Sequence, residues 1–142
     1  MEPLEDDRHC FVCGEQNPNG LNLDWSLNED ESLLTTTFTP GKQFQGWKDV
    51  VHGGIIATIL DEIMVNHGVF TGHPMVSVEL SVRYRNPAHL NVPINFEGSV
   101  ERKKNRFFTG HSECEQDGTI IAEANAKLME IESELKQEWE LN

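Results

Sequence analysis

Residues 50–62 read VVHGGIIATILDE and decide the fold of the chain. After His52, Gly53 and Gly54, apolar residues recur with the spacing of an amphipathic helix, which predicts a helix from about Gly53 to about Phe70. The first N–H groups of a helix lack intrahelical acceptors and carry partial positive charge. The start of this helix is therefore suited to stabilising a carbonyl oxygen that gains negative charge during a reaction.

Asp61 is the carboxylate of this helix that we expect to take part in chemistry. A helix turns about 100° per residue, so the apolar side chains form one stripe: Ile55, Ile56, Ile59, Leu60 and Ile63. Asp61 lies roughly 150° from the centre of that stripe and faces a cleft or a neighbouring chain, whereas Glu62 lies at the edge. Spacing alone leaves open the alternative that Asp61 is an ordinary solvated acid.

The composition is that of a single-domain protein. The chain has 142 residues, enough for one domain with a core. Its net charge of −13 at pH 7 opposes binding to the phosphates of nucleic acid. No apolar run is as long as a membrane span, which needs about 18 residues. The residues after Met1 are acidic, unlike the basic and then apolar residues of a secretion leader. We therefore predict a cytoplasmic protein that binds neither nucleic acid nor membranes.

Basic residues are concentrated between positions 83 and 106 of this acidic chain. Six of the eleven lysine and arginine residues lie there: Arg83, Arg85, Arg102, Lys103, Lys104 and Arg106. Only Glu97 and Glu101 oppose them, which leaves a local excess of four positive charges (six minus two). Charge alone is equally compatible with two interpretations, the first being that this basic patch, in particular Arg83, Arg85 and Lys104, binds phosphate groups of a ligand. A solvated hairpin whose charges discourage edge pairing is the alternative.

A Cys-x-x-Cys motif lies in the N-terminal segment, residues 1–19, where residues 9–14 read HCFVCG. This spacing is typical of zinc knuckles and redox pairs. Structural zinc usually requires four ligands, yet no second such motif follows and Cys114 stands alone far downstream. The NPNG turn that follows is also unlike the helix after a thioredoxin-type pair. We predict that Cys10 and Cys13 pack as small buried thiols, and that the protein binds no metal or other cofactor.

Alternating apolar residues predict about six strands around the single helix, with a tight hairpin turn at Asp117–Gly118. The predicted strands are residues 21–27, 34–38, 76–84, 94–100, 108–114 and 120–128. One helix among antiparallel strands predicts an α+β domain, residues 20–131, in which the sheet wraps around the helix. The polar tail, residues 132–142, adds a short helix or frays.

The motif of His52, two glycines and Asp61 nine residues after the histidine resembles hotdog-fold acyl-CoA thioesterases of the phenylacetate-degradation (PaaI) type, relatives of 4-hydroxybenzoyl-CoA thioesterase. Residues 76–87, VSVELSVRYRNP, resemble the strand after the family's central helix, and residues 117–122, DGTIIA, resemble its late hairpin. Together the segments cover most of residues 20–130. The resemblance implies a hotdog fold and hydrolysis of an acyl-CoA ester, with the basic patch contacting the phosphates of coenzyme A.

The resemblance also implies roles for individual residues. The thioester carbonyl is assigned to the N–H groups of Gly53 and Gly54, with His52 fixing the loop or the sulfur side of the substrate. Asp61 is the general base or the nucleophile, and Ser77 of the other subunit holds the attacking water. A homodimer or homotetramer is implied, because Asp61 faces out of its own chain. Plain capping by His52 and a structural role for Ser77 are the alternatives.

One position departs from the family pattern, because several relatives carry a water-holding asparagine where this chain has Gly46. The neighbouring Gln45 is the candidate substitute. Phe44 and Trp47 precede the motif and Phe70 ends the helix, which predicts an apolar, partly aromatic pocket. We therefore predict a medium-chain or aryl acyl group as the substrate.

Two other functions compete with hydrolysis. A non-catalytic acyl-CoA-binding protein would keep the fold without the acid, and as a transcription regulator it would carry a helix-turn-helix segment, which this sequence lacks. A hotdog dehydratase would use a catalytic histidine differently and would lack the spacing from His-Gly-Gly to the aspartate. Release of free thiol from acyl-CoA distinguishes hydrolysis from both.

Overall fold

The computed structural model describes residues 3–132, so the predicted tail lies outside the described residues except for Glu132. These residues form one long helix and six strands, joined by loops and a 3-10 turn at Lys42–Phe44. In chain order the elements are β1 (Ser26–Leu27), β2 (Leu34–Phe38), α1 (Gly53–Phe70), β3 (Met75–Tyr84), β4 (Ile94–Lys104), β5 (Phe107–Gln116) and β6 (Thr119–Glu130). The strands form a single antiparallel sheet in the order β1-β2-β4-β5-β6-β3.

The helix α1 lies at the centre of the hydrophobic core. Of its predicted apolar stripe, Ile56, Ile59, Leu60 and Ile63 are at most 2% exposed, as is Met64, whereas Ile55 is half-buried. These side chains belong to one core with Leu34, Phe96 and Leu128 of the sheet, and burying each contributes about 1.5–3 kcal/mol. The predicted helix and the predicted α+β arrangement, a six-stranded antiparallel sheet wrapped around one helix, are confirmed. No helix within residues 3–132 combines the length and apolar character that crossing a membrane requires.

Two contacts hold the middle turns of α1 against the sheet. A Cβ at Gly98 of β4 would lie 2.8 Å from Ile63 Cγ2, so a glycine lets the strand approach the helix closely. The hydroxyl of Ser112 on β5 is fully buried and donates to the Leu60 carbonyl at 2.8 Å. Asp61 is the residue after Leu60, so the packing of Leu60 and its hydrogen bond also fix the backbone of Asp61.

The first predicted strand, residues 21–27, is wrong over most of its length, because only Ser26–Leu27 pairs with the sheet. The N–H groups of Leu21 and Leu23 donate instead to carbonyls of the N-terminal segment, at 2.7 and 3.0 Å. Asn22 between them has a φ of 54°, which breaks the extended backbone. This stretch therefore attaches the N-terminal segment to the domain rather than extending the sheet.

The other five predicted strands and the Asp117–Gly118 hairpin are confirmed, and most of these strands extend beyond the predicted limits. Asp117 and Gly118 have φ values of 51° and 83°, which suits a two-residue turn between antiparallel strands. The turn joins β5 to β6, and β6 in turn lies between β5 and β3.

The strand β3 forms one edge of the sheet and pairs, within residues 3–132, only with β6. A bulge between Ser77 and Glu79 interrupts that pairing. Three large side chains of β3 are exposed, namely Val78 at 56%, Leu80 at 38% and Tyr84 at 52%. A long edge strand with exposed apolar side chains is typical of an interface between chains.

Candidate active site

His52 caps the start of α1, and its contact shows which ring nitrogen carries the proton. Nδ1 accepts a hydrogen bond from the N–H of Gly54 at 2.9 Å. A neutral imidazole whose Nδ1 accepts carries its proton on Nε2, which is then a donor. The His52 side chain is exposed, so its Nε2–H is available to a substrate at the start of the helix.

The two glycines of the motif have different surroundings. The N–H of Gly54 is taken by His52, whereas the N–H of Gly53 has no acceptor within residues 3–132. The carbonyl of Gly53 accepts from the hydroxyl of Tyr84 at 2.6 Å, and burial raises the pKa of Tyr84. A Cβ at Gly53 would lie 3.3 Å from the Tyr84 ring, so a glycine lets this ring pack across the start of α1. Of the two N–H groups assigned to the carbonyl, only that of Gly53 lacks an acceptor in the part of the chain that the structure describes.

Asp61 has a carboxylate oxygen without a partner. Its Oδ1 is buried and, within residues 3–132, has no hydrogen-bond donor, although the residue as a whole is half-buried. Leaving a buried acceptor unpaired costs about 1–3 kcal/mol. Such an arrangement is expected where the missing donor comes from a substrate, a water molecule or a second chain.

Glu62, the neighbouring carboxylate, is turned towards the N-terminal segment. Its Oε1 accepts from the thiols of Cys10 and Cys13 at 3.3 and 3.5 Å and from the Asn66 amide at 3.1 Å. Burial, followed by the negative charge of Glu62, raises the pKa of Cys13 to about 12. Glu62 thus has donors from its own chain, whereas Asp61 Oδ1 has none within residues 3–132.

The predicted catalytic residues do not converge within one chain. Asp61 lies eight residues after Gly53 in α1, which separates them by about 12 Å along the helix axis. Ser77 lies on the edge strand β3 beside the bulge, half-buried, and its hydroxyl has no partner in the described part of the chain. A thioester carbonyl bound at Gly53 is therefore out of reach of Asp61 of the same chain.

The loop before α1 is held by its own side chains. Gln45 Oε1 accepts from Lys42 Nζ and from the N–H of Asp49, both at 2.9 Å. The side-chain oxygen of Gln45 is thus already bonded within the loop. If Gln45 replaces the water-holding asparagine, as predicted, it must hold the water with its side-chain N–H groups. A Cβ at Gly46 would lie 3.1 Å from His52 Cα, so the loop backbone packs directly against the histidine.

The predicted aromatic pocket is not assembled within one chain. Trp47 is 87% exposed in the loop before α1. Phe44 instead packs edge-on against Phe38, with ring centroids 5.3 Å apart. Phe70 ends α1, 17 residues after Gly53 and about 26 Å away along the axis. Of the three predicted aromatic residues, only Trp47 is exposed near the start of the helix, because the helix carries Phe70 to its far end.

The predicted basic patch divides into two groups. Arg83 of β3 lies opposite Glu123 in the strand pairing with β6. Lys104 of β4 lies opposite Phe107 of β5, which in turn lies opposite Met129 of β6. These two positions of β6 are six residues, or about 20 Å, apart. Arg85 forms an ion pair with Glu123 at 2.8 Å, and this hydrogen bond lowers the pKa of Glu123. Of the patch residues, all of which the structure describes, only Arg83 and Arg85 lie near the start of α1, on either side of Tyr84.

Sequence comparison identifies the family. A model of the thioesterase superfamily matches residues 48–123, which is more than half of the chain. The chain belongs to the thioesterase superfamily. The matched region runs from the loop before α1 to the middle of β6, so it includes the His52 motif, Asp61 and Ser77.

Solved structures of thioesterase superfamily members share the fold. The thioesterase superfamily protein RHA08564 is 25% identical, with a TM-score of 0.78 over 84% of this chain and 62% of that one. The E. coli PaaI protein of the phenylacetic acid degradation operon is 17% identical, with a TM-score of 0.72 over 80% of this chain and 82% of that one. A hypothetical thioesterase of Streptococcus pneumoniae TIGR4, solved with coenzyme A, is 14% identical, with a TM-score of 0.71 over 79% and 90%. The predicted hotdog fold and the family resemblance are confirmed.

Curated relatives are longer than this chain. The acyl-coenzyme A thioesterase THEM4 of Xenopus laevis is 25% identical over 117 residues, which cover 80% of this chain and 53% of the relative. THEM4 of Bos taurus is 22% identical over 120 residues, which cover 82% of this chain and 49% of the relative. The chain thus spans about half the length of these relatives.

Proposed function

We propose that this protein hydrolyses acyl-CoA thioesters to the free acid and coenzyme A. The observation that carries the proposal is the N–H of Gly53, which has no acceptor within residues 3–132, beside the exposed His52 ring at the start of α1, in a chain of the thioesterase superfamily. Similarity to acyl-coenzyme A thioesterase THEM4 supports the substrate class. The unpaired Oδ1 of Asp61 supplies a carboxylate for the reaction.

The reaction follows from the chemistry of these groups. The thioester carbonyl oxygen accepts from the N–H of Gly53, and the partial positive charge of the helix start stabilises the oxyanion that forms. Asp61 takes a proton from a water held by Ser77 while that water attacks the carbonyl carbon, or Asp61 attacks first and water then releases the acid. The C–S bond breaks, and the Nε2–H of His52 donates to the departing sulfur of coenzyme A.

Each active site is shared between two chains in this proposal. Gly53 and Asp61 of one chain are about 12 Å apart along the helix axis. The carboxylate that faces a carbonyl bound at Gly53 therefore belongs to a second chain. Antiparallel pairing of two β3 strands would continue the sheet and place the two α1 helices side by side. The exposed side chains of Val78 and Leu80 on β3 support such an interface. We therefore propose a homodimer, or a homotetramer of two such dimers.

Leu80→Asp is expected to convert the assembly to monomers, because it places a charge on the apolar edge that the second chain would cover. Sedimentation equilibrium of the wild type should give at least twice the chain mass, and that of the variant the mass of one chain. Ile120→Asp is the matched control, because Ile120 is similarly exposed (41%) but lies on β6 rather than on the edge strand. A fully active wild-type monomer would contradict the shared site.

The substrate proposed is a medium-chain or aryl acyl-CoA. Trp47, exposed in the loop before α1, and Leu80 of the second chain's edge strand offer apolar surface to the acyl group. Arg83 and Arg85 flank Tyr84 along the chain, near the start of α1, and are the residues proposed to bind the coenzyme A phosphates.

Thiol release measures this function directly. Octanoyl-CoA and benzoyl-CoA are expected to give kcat/KM values at least about 10-fold above that of acetyl-CoA, because an apolar pocket gains about 10-fold or more from added methylene groups. The octanoyl thioester of N-acetylcysteamine, which lacks the nucleotide, should give a higher KM than octanoyl-CoA. Tight binding of octanoyl-CoA without thiol release would favour the non-catalytic acyl-CoA-binding alternative.

A further inference from the structure

Two cysteines of the N-terminal segment meet a carboxylate of the central helix. The Sγ atoms of Cys10 and Cys13 lie 3.3 and 3.5 Å from Oε1 of Glu62. All three ligand atoms lie within 4.8 Å of one another, and all three residues are half-buried. This cluster is separate from the catalytic groups, although Glu62 directly follows Asp61 in α1.

Two of the three distances among these atoms match edges of a tetrahedral zinc site. Zinc binds thiolate sulfur at about 2.3 Å and carboxylate oxygen at about 2.1 Å, so the sulfur-to-oxygen edges of a tetrahedron are about 3.6 Å long. The observed edges of 3.3 and 3.5 Å agree with this length. Metal binding would require only small shifts of side chains that are already in place.

The turn that carries the cysteines holds both sulfurs on one side. The N–H of Val12 donates to the Sγ of Cys10 at 3.4 Å, and the N–H of Gly14 donates to the Cys10 carbonyl at 3.0 Å. A Cβ at Gly14 would lie 2.3 Å from the backbone nitrogen of Cys10, so only glycine fits after Cys13. An N–H group directed at sulfur stabilises the negative charge of a thiolate ligand.

Asn66 holds the carboxylate from the other side. It is 8% exposed, and its amide donates to Glu62 Oε1 at 3.1 Å and to the Glu62 carbonyl at 3.2 Å. Hydrogen bonds of this kind orient the ligands of metal sites. Beside the cluster lies a groove of about 410 Å³, lined in part by Cys10, Cys13 and Glu62, which gives water access to a fourth ligand position.

We propose that Cys10, Cys13 and Glu62 bind one Zn²⁺ ion, with a water molecule as the fourth ligand. The ion tethers the N-terminal segment to α1 at the residue after Asp61. This proposal replaces the sequence-based expectation that the two cysteines only pack. Glu62 lies 49 residues after Cys13, so the spacing of the motif could not reveal it. The proposal is independent of the proposed hydrolysis, and its test does not use activity.

Metal analysis of the full chain tests the site. The protein is purified in reductant without chelator, and about one zinc per chain is expected by elemental analysis. After removal of the metal, added Co²⁺ should produce a thiolate-to-cobalt absorption band in the near ultraviolet and raise Tm. Cys10→Ser and Cys13→Ser should each abolish the band, and Glu62→Gln should weaken Co²⁺ binding by about 10-fold or more.

Cys114→Ser is the matched control, because Cys114 is buried in β5 away from the cluster and its replacement should leave the Co²⁺ band unchanged. A metal content below about one tenth per chain in the reduced wild type, before and after adding Zn²⁺, would overturn the proposal. A Co²⁺ band that persists in both Cys10→Ser and Cys13→Ser would also overturn it, even if either variant is less stable.

Discussion

Asp61→Asn is expected to lower kcat for octanoyl-CoA by about 100-fold or more, the loss typical of removing a general base or nucleophile. The folded structure should be retained, because asparagine has nearly the same shape and Asp61 Oδ1 gives up no hydrogen bond within residues 3–132. Steady-state kinetics and a thermal melt of the same preparation measure the two effects.

Asp117→Asn is the matched control for Asp61→Asn. Asp117 lies in the β5–β6 hairpin with a φ of 51°, where asparagine is as well accommodated as aspartate. This control should therefore retain wild-type activity. An equally small loss of kcat in both variants would remove Asp61 from the mechanism.

Gly53→Pro is expected to lower kcat by about 100-fold to 1,000-fold, the loss that follows removal of one oxyanion donor. Proline removes the N–H and adds a ring, and it is well tolerated at the first position of a helix. The preceding residue, His52, has φ and ψ of −60° and 129°, which are the values favoured before proline. The variant should therefore fold, as circular dichroism can verify.

Gly53→Ala is the control that distinguishes the effect of losing the N–H from the effect of adding side-chain atoms at this position. Alanine places a Cβ at the same position, 3.3 Å from the Tyr84 ring, but keeps the N–H. This variant should retain much more activity than Gly53→Pro. Equal losses in the two variants would mean that crowding of Tyr84, rather than the N–H of Gly53, controls the rate.

The central helix and the late hairpin could be predicted from the sequence because they depend on local patterns. Helical periodicity gave the limits of α1 from Gly53 to Phe70, and the Asp-Gly pair gave the turn at residues 117–118. The first strand could not be predicted in the same way. Its alternating residues 21–27 suit a strand, but their hydrogen-bond partners lie in the N-terminal segment.

The extent of the site was less predictable, because nearness in sequence is not nearness in space. Phe70 belongs to the same helix as the motif but lies at its opposite end, and Lys104 is offset from Arg83 by about 20 Å along the strand direction. Conversely, the contact between Cys13 and Glu62 joins residues 49 positions apart. The His52 to Gly54 hydrogen bond depends on a side-chain rotamer, which spacing does not specify.

Mixing the Asp61→Asn and Gly53→Pro chains tests the shared active site most directly. The two inactive variants are combined in equal amounts, unfolded and refolded together, and thiol release from octanoyl-CoA is measured. Random pairing of equal amounts should make about half of the dimers hybrids. If Gly53 of one subunit works with Asp61 of the other, each hybrid dimer has one intact site and one site with both substitutions. The mixture should then recover about a quarter of wild-type activity. If the mixture stays as inactive as the separate variants although hybrid dimers form, the account of a site shared between two chains is contradicted.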